Sequence, residues 1–129
     1  MTLSHQLARW ARIRPGVAAA RFEGTGRSYA ELDERVTRLA RALAERGVRA
    51  GDRIAVLSRN SLQAWESYLA GVRLGAIVVP VNFRMLSAEV GYVLADSGAV
   101  ALIVDADLAS VAAEASARTG YPHRAGDRR

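Results

Sequence analysis

Two serines, a strand-terminal aspartate and a Gly-Thr-Gly turn are the residues whose types and spacing invite chemistry in this chain. Ser58 and Ser61 sit in RIAVLSRNS without the G-x-S-x-G setting that exposes a nucleophilic serine. Asp105 closes the apolar run VALIVD, a position where open α/β sheets bind ligands. A carboxylate there also balances the positive end of a following helix, and that reading is preferred. Gly24-Thr-Gly26 matches the first two glycines of a dinucleotide loop, but Tyr29 stands where the third belongs and a helix comes before the strand. A hairpin turn is the better reading. His5 and His123 lie at opposite ends without convergent partners, so neither assembles a metal site or a general base. By residue chemistry alone, no catalytic set is assembled.

The elements that must position these residues are legible from periodicity. Leu3, Leu7, Trp10 and Ala11 recur at helical spacing until Arg14-Pro15-Gly16 stops them. Two short extended pieces then flank residues 23–26, a small hairpin. Ser28-Tyr-Ala-Glu31 is a capping box that opens a helix with a stripe of Tyr29, Leu32, Val36, Leu39 and Leu43. Glu31–Arg35 and Glu34–Arg38 are i,i+4 pairs on its wet face, and Gly47 ends it with Val48 as the following apolar contact. RIAVLS (53–58), the apolar stretch of GAIVVPVNFR (75–84) and VALIVD (100–105) read as strands. Helices fill the gaps: 61–74 with Leu62, Trp65, Leu69 and Val72 inward, then one capped by Ser87 with Val90, Val93 and Leu94 inside. A last helix starts at Asp107. Strand centres Ile54, Ile77 and Leu102 fall 23 and 25 residues apart. That spacing predicts an α/β fold: a partial parallel sheet, βαβαβα, with helices on both faces, preceded by an N-terminal helix and a small β-hairpin.

Composition sets the outer bounds. The chain has 129 residues, half of them hydrophobic, enough for one modest core. It has no cysteine, which excludes disulfides, zinc-thiolate sites and cysteine nucleophiles. All eighteen basic residues are arginine, so no lysine-containing phosphate loop exists. Residues 118–129 carry a net +3 of the formal +5, leaving +2 spread through the body. That distribution disfavours nucleic acid, which wants a basic face with interleaved aromatics. No apolar run approaches the roughly 20 residues of a membrane span, and the N-terminus lacks a secretory signal. A cytoplasmic location is expected. Residues 1–117 form the expected α/β subdomain; 118–129, without an apolar stripe, are expected to be a disordered basic tail.

The order of segments carries a further signal. Arg27-Ser-Tyr-Ala-Glu-Leu32 at the head of a long helix resembles the "[LT]-[ST]-Y-x-E-L" motif of adenylate-forming enzymes: acyl-CoA synthetases, luciferases and peptide-synthetase adenylation domains. GVRAGDRIAVLSRNS (47–61) is similar to that family's "G-V-x-x-G-D-x-V-A-[VI]-x-x-x-N-S". VRLGAIVVPVNFRMLSAEVGYVLADSGAVALIVD (72–105) resembles its "G-A-V-x-V-P-[VL]-N-P-R-L" block and the helix and strand beyond. The blocks keep their order from about Leu3 to Arg118, and the P-V-N-x-R version leans toward CoA ligases of fatty or aromatic acids.

The resemblance implies an acid–thiol ligase reaction for full-length members, with ATP, Mg²⁺ and CoA, and acyl-AMP as the intermediate. Such enzymes run to roughly four lengths of ~100–150 residues, so this chain resembles their N-terminal segment. The lysine-bearing phosphate loop and the catalytic lysine of the C-terminal domain are missing from these 129 residues. The chain alone is therefore expected to be inactive and to hold no catalytic residue, metal or cofactor. One contact carries over: Asn82, Phe83 and Arg84 match the family's segment that approaches the CoA nucleotide, with Phe83 where relatives often have proline. A guanidinium at Arg84 suits phosphate because it pairs two oxygens at once. Expected partners are the remainder of a synthetase, as from a truncated, frameshifted or split gene, or a second copy through an open sheet edge. The alternatives are a non-catalytic α/β interaction module and a Rossmann-like nucleotide-binding domain.

Overall fold

Helices in this chain start where the sequence offers an acceptor for their free amides. The computed structural model describes residues 2–119 and 125–126. In α1 (Leu3–Ile13) the Thr2 hydroxyl accepts the His5 N–H, and His5 Nδ1 accepts the Thr2 N–H in return at 3.2 Å. In α2 (Tyr29–Glu45) the Ser28 hydroxyl accepts the Glu31 N–H at 3.1 Å, as its capping pattern predicts. Ser61 does the same for Ala64 in α3 (Leu62–Leu74). In α4 (Ser87–Ser97), Ser87 is the first helical residue, not the cap. Leu86 holds the cap position, and Glu89 Oε2 accepts its N–H at 2.8 Å, so the carboxylate half of a capping box suffices.

The chain divides into two compact units. The helical unit, Met1–Ala50 with Asn60–Ala76, holds α1, α2, α3 and the hairpin of β1 (Ala18–Phe22) and β2 (Thr25–Ser28). Phe22 pairs with Thr25 across a two-residue turn in which Glu23 and Gly24 have φ of 48° and 80°. Positive φ at both positions is the type I′ geometry that matches strand twist. The glycine pair therefore serves a hairpin, and the dinucleotide reading falls. Leu7, Leu32, Val36, Leu43 and Leu69 are buried where the three helices meet. Trp65, expected inside, is 41% exposed. Small Ser67, Ala70 and Gly71 form the buried face of α3 instead, and the indole is left at the margin beside Phe22 and Tyr68.

Gly75 closes α3 in the left-handed region, φ 74°, with Ala76 N–H donating to Gly71 C=O and Gly75 N–H to Val72 C=O. A Cβ there would stand 3.3 Å from the Ala50 Cβ. Val48 N–H reaches Leu43 C=O and Gly47 N–H reaches Ala44 C=O, the same closure on α2.

The sheet unit, Gly51–Arg59 with Ile77–Arg129, holds β3 (Arg53–Leu57), β4 (Ile77–Val81), α4, β5 (Ala101–Val104) and α5 (Ala109–Thr119). A 3-10 turn, Ala106–Leu108, separates β5 from α5, so the last helix begins later than Asp107. A two-residue strand β6 (Ala125–Gly126) completes the order β4-β3-β5-β6, all parallel. Of the tail expected at 118–129, Arg118 and Thr119 end α5, and the rest apart from β6, His123 included, lies outside the described residues. From Ile54 to Leu57 no residue is more than 1% exposed, the burial of a strand covered on both faces. Ala55, Leu57, Leu102 and Val104 pack with Val90 and Leu94 of α4 and Ala112 and Ala115 of α5. The chain runs from β3 to β4 on one side, then returns to β5 on the other. The direction of connection thus reverses at β3, and the carboxyl ends of β3 and β5 flank a topological switch point.

Candidate functional site: the carboxyl rim of the parallel sheet

Each of the three long parallel strands delivers polar residues just past its carboxyl end: Ser58 and Arg59 after β3, Asn82–Arg84 after β4, and Asp105 and Asp107 after β5. The strand order then decides which of them meet. Asp105 Oδ1 lies 2.8 Å from the Ser58 hydroxyl, and Oδ2 accepts the Arg59 backbone N–H at 2.9 Å. The Ser58 hydroxyl also lies 2.9 Å from the Arg59 carbonyl. It has one hydrogen, and the carboxylate is the stronger acceptor. Asp105 therefore sits at a helix start, as expected, but its carboxylate ties the β3 and β5 loops together and makes no cap bond. Ser58 is part of that tie.

The Arg59 guanidinium pairs with Asp107 and lies over one side of Phe83, 5.2 Å from the ring centroid. Arg84 lies over the same ring at 5.5 Å. Phe83 is half-buried against the sheet core, so it is a fixed platform for both cations. Asn82 Oδ1 accepts the Arg84 N–H at 2.9 Å, and Met85 N–H donates to Asn82 C=O. Asn82 thereby pins the turn that leaves β4, a backbone task that uses its side-chain oxygen. Arg84 is exposed, and no carboxylate pairs with it among the described residues.

Of the residues singled out from sequence, the structure joins Ser58 with Asp105 and Asn82, Phe83 and Arg84 with one another, and Arg59 links the two groups. His5 is in the helical unit, bound up in the α1 cap. Arg59 escaped sequence reasoning. Its signal was its place two residues past a buried strand, next to Ser58, which the register of Leu57 with Val104 sets level with Asp105; reading that signal needs the strand order.

The rim presents the exposed guanidinium of Arg84, whose chemistry suits an anion. Among the described residues no three carboxylate or imidazole groups converge, both Asp105 oxygens are engaged by Ser58 and Arg59, and Asp107 Oδ2 is paired with the Arg59 guanidinium. The residues present thus do not fit the Mg²⁺ that the family reaction implies.

An open parallel sheet with polar loops gathered at its carboxyl edge defines an α/β domain of the kind that binds ligands at that edge. The comparisons specify which. The model of the AMP-binding enzyme family matches residues 7–125, and the chain belongs to that family. A feruloyl-CoA synthase from an Amycolatopsis species is 47% identical over 95 residues, 74% of this chain and 19% of that enzyme. A 3-oxocholest-4-en-26-oate–CoA ligase from Rhodococcus rhodochrous is 39% identical over 89 residues, 69% of this chain and 16% of that enzyme. Among solved structures, the inhibitor-bound N-terminal domain of FACL13 from Mycobacterium tuberculosis superposes with a TM-score of 0.78 at 31% identity, covering 84% of this chain and 28% of that one. A fatty acyl CoA synthetase from Mycobacterium tuberculosis gives 0.85 at 28% identity, covering 96% and 26%. The chain thus spans about a fifth of the length of the curated relatives it matches. No described helix is long and apolar enough to cross a membrane.

Proposed function

We propose that this chain supplies the N-terminal α/β portion of an ATP-dependent acyl-CoA synthetase acting on an aromatic or fatty carboxylic acid. The carrying observation is that the AMP-binding enzyme model covers residues 7–125, all three rim loops included, and that the similar relatives are named as a feruloyl-CoA synthase and a CoA ligase. In the whole enzyme, a carboxylate oxygen attacks the α-phosphorus of ATP and pyrophosphate leaves. The CoA sulfur then attacks the acyl carbon and AMP leaves. Charge builds on phosphate and carboxylate oxygens in the first step, and it must be met by donors and cations already aimed at it. These 129 residues hold no lysine, and the rim offers one uncommitted guanidinium. By itself the chain is inactive in this reading, and its partner is the remainder of a synthetase.

Arg84 is the residue we assign to the CoA nucleotide, with Phe83 as its platform and Asn82 holding the turn. Arg59 is spent on Asp107, so Arg84 is the cation left to meet a phosphate. Two measurements test the reading. ATP–pyrophosphate exchange by the purified chain, with ferulate or a fatty acid present, is expected to be absent; exchange above background overturns the inactive assignment. Calorimetry with CoA, ATP and NAD is expected to show weak binding of CoA alone, lost in Arg84→Ala. Binding of ATP or NAD in place of CoA, or CoA binding indifferent to R84A, overturns the site.

A further inference from the structure

Pro80 is the last residue but one of the apolar strand β4, opposite Val56 in the β3–β4 register. Ile77 N–H donates to Asp52 C=O at 2.7 Å, which places the polar backbone groups of Ile77 on the β3 side. Successive residues of a strand direct those groups to alternate sides in the sheet plane. Val79 and Val81 therefore face β3, and Val78 and Pro80 face away from it. Among the described residues β4 is the outermost strand on that side. Its flank is adhesive: Ile77 is 52% exposed, and Val78 and Val79 are half-buried. Such an edge is a template for another strand.

The template has lost its donors. Residues 76, 78 and 80 are the positions that alternate toward the open side. Ala76 N–H is spent on Gly71 C=O at 2.9 Å, and proline has no N–H at all. Only the Val78 N–H remains to offer. We propose that Pro80 disarms the β4 edge against pairing with a second copy of this chain.

A twofold pair of β4 strands centred on Val78 would run antiparallel. The two Val78 residues would exchange one pair of hydrogen bonds. On either side, residue 80 of one copy would meet residue 76 of the other, and there neither N–H is available. Two net hydrogen bonds do not offset the cost of association. Had residue 80 carried an N–H, it could reach the partner's residue 76 carbonyl, twice over by symmetry. A single missing donor is thus counted twice.

The test compares the 129-residue chain with Pro80→Val, which keeps strand shape and restores the donor. Sedimentation over a concentration series is expected to show P80V self-associating at about tenfold lower concentration than the parent chain. Amide exchange of the parent chain supplies an independent readout that needs no variant. The Val78 amide is expected to exchange freely at every concentration while Val79 and Val81 stay protected. The proposal is overturned if P80V associates no more tightly than the parent. It is equally overturned if Val78 of the parent gains protection as concentration rises.

Discussion

In the helical unit, charged side chains are buried between elements; in the sheet unit, the buried polar side chain among the described residues is the lone hydroxyl of Ser116, and paired charges gather at the carboxyl rim. Arg73 of α3 illustrates the first pattern. Its guanidinium donates to Ser4 Oγ of α1, and to Thr37 Oγ1 and Asp33 Oδ1 of α2, each at 2.6 Å. Two longer bonds go to the carbonyls of Ser4 and Asp33. Glu66 of the same helix, 4% exposed, accepts from Arg35 at 2.6 Å and Arg27 at 3.4 Å. The sheet unit's apolar cluster is instead assembled from Val, Leu and Ala, and the Arg59–Asp107 pair and the Asp105 tie lie past the strand ends. Three helices in contact can slide or rotate at little cost, so a fork of hydrogen bonds fixes their register. A parallel ladder already fixes register through its backbone, which frees the polar residues of that unit for a surface where ligands can reach them.

The largest effect that probes this contrast is Leu94→Ala. Leu94 is fully buried in the apolar core of the sheet unit, and its loss should cost about 3 kcal/mol in transfer and cavity terms. Denaturant titration reads it. A cost below about 1 kcal/mol would mean that the core collapses around the gap and is not tightly specified.

Arg73→Met should cost about 2 kcal/mol by the same measurement, because it leaves Asp33, Thr37 and Ser4 without their donor. The figure is held below that of a fully buried pair because Arg73 and Asp33 side chains remain 21% and 29% exposed. Adding Asp33→Leu should recover part of the loss, since an apolar pair avoids the desolvation of two charges. If the double variant is no better than the single, the network does more than fix register. The smallest effect is expected at Arg38→Ala. Its pair with Glu34 is exposed, and the change should stay within about 0.5 kcal/mol.

Much of the secondary structure was legible because its causes are local. Ser28 caps α2 through an amide three residues away, and the hairpin needs only Glu23 and Gly24. Charge partners were not legible. Arg35 was expected to pair with Glu31 one turn away, but it turns to Glu66, thirty-one residues on. A carboxylate buried by packing needs a cation more than an exposed one does, and packing is invisible in a helical repeat. The rim was half legible. Residues 82–84 could be found from resemblance, whereas Arg59 and Asp107 could not, since they meet only because β5 lies beside β3.

What the sequence determined by itself was the alternation of helix and strand, the absence of a lysine or cysteine chemistry, and the family. Each rests on residue types, short-range spacing or the order of blocks along the chain. The tertiary structure decided the strand order, and with it the meeting of Ser58 and Arg59 with Asp105. It also decided which side of β4 Pro80 faces. The side a backbone group takes depends on which neighbour the strand pairs with, and no local rule supplies that neighbour. The punctuation of GAIVVPVNFR was in the sequence; its role as the guard of an edge came from the ladder.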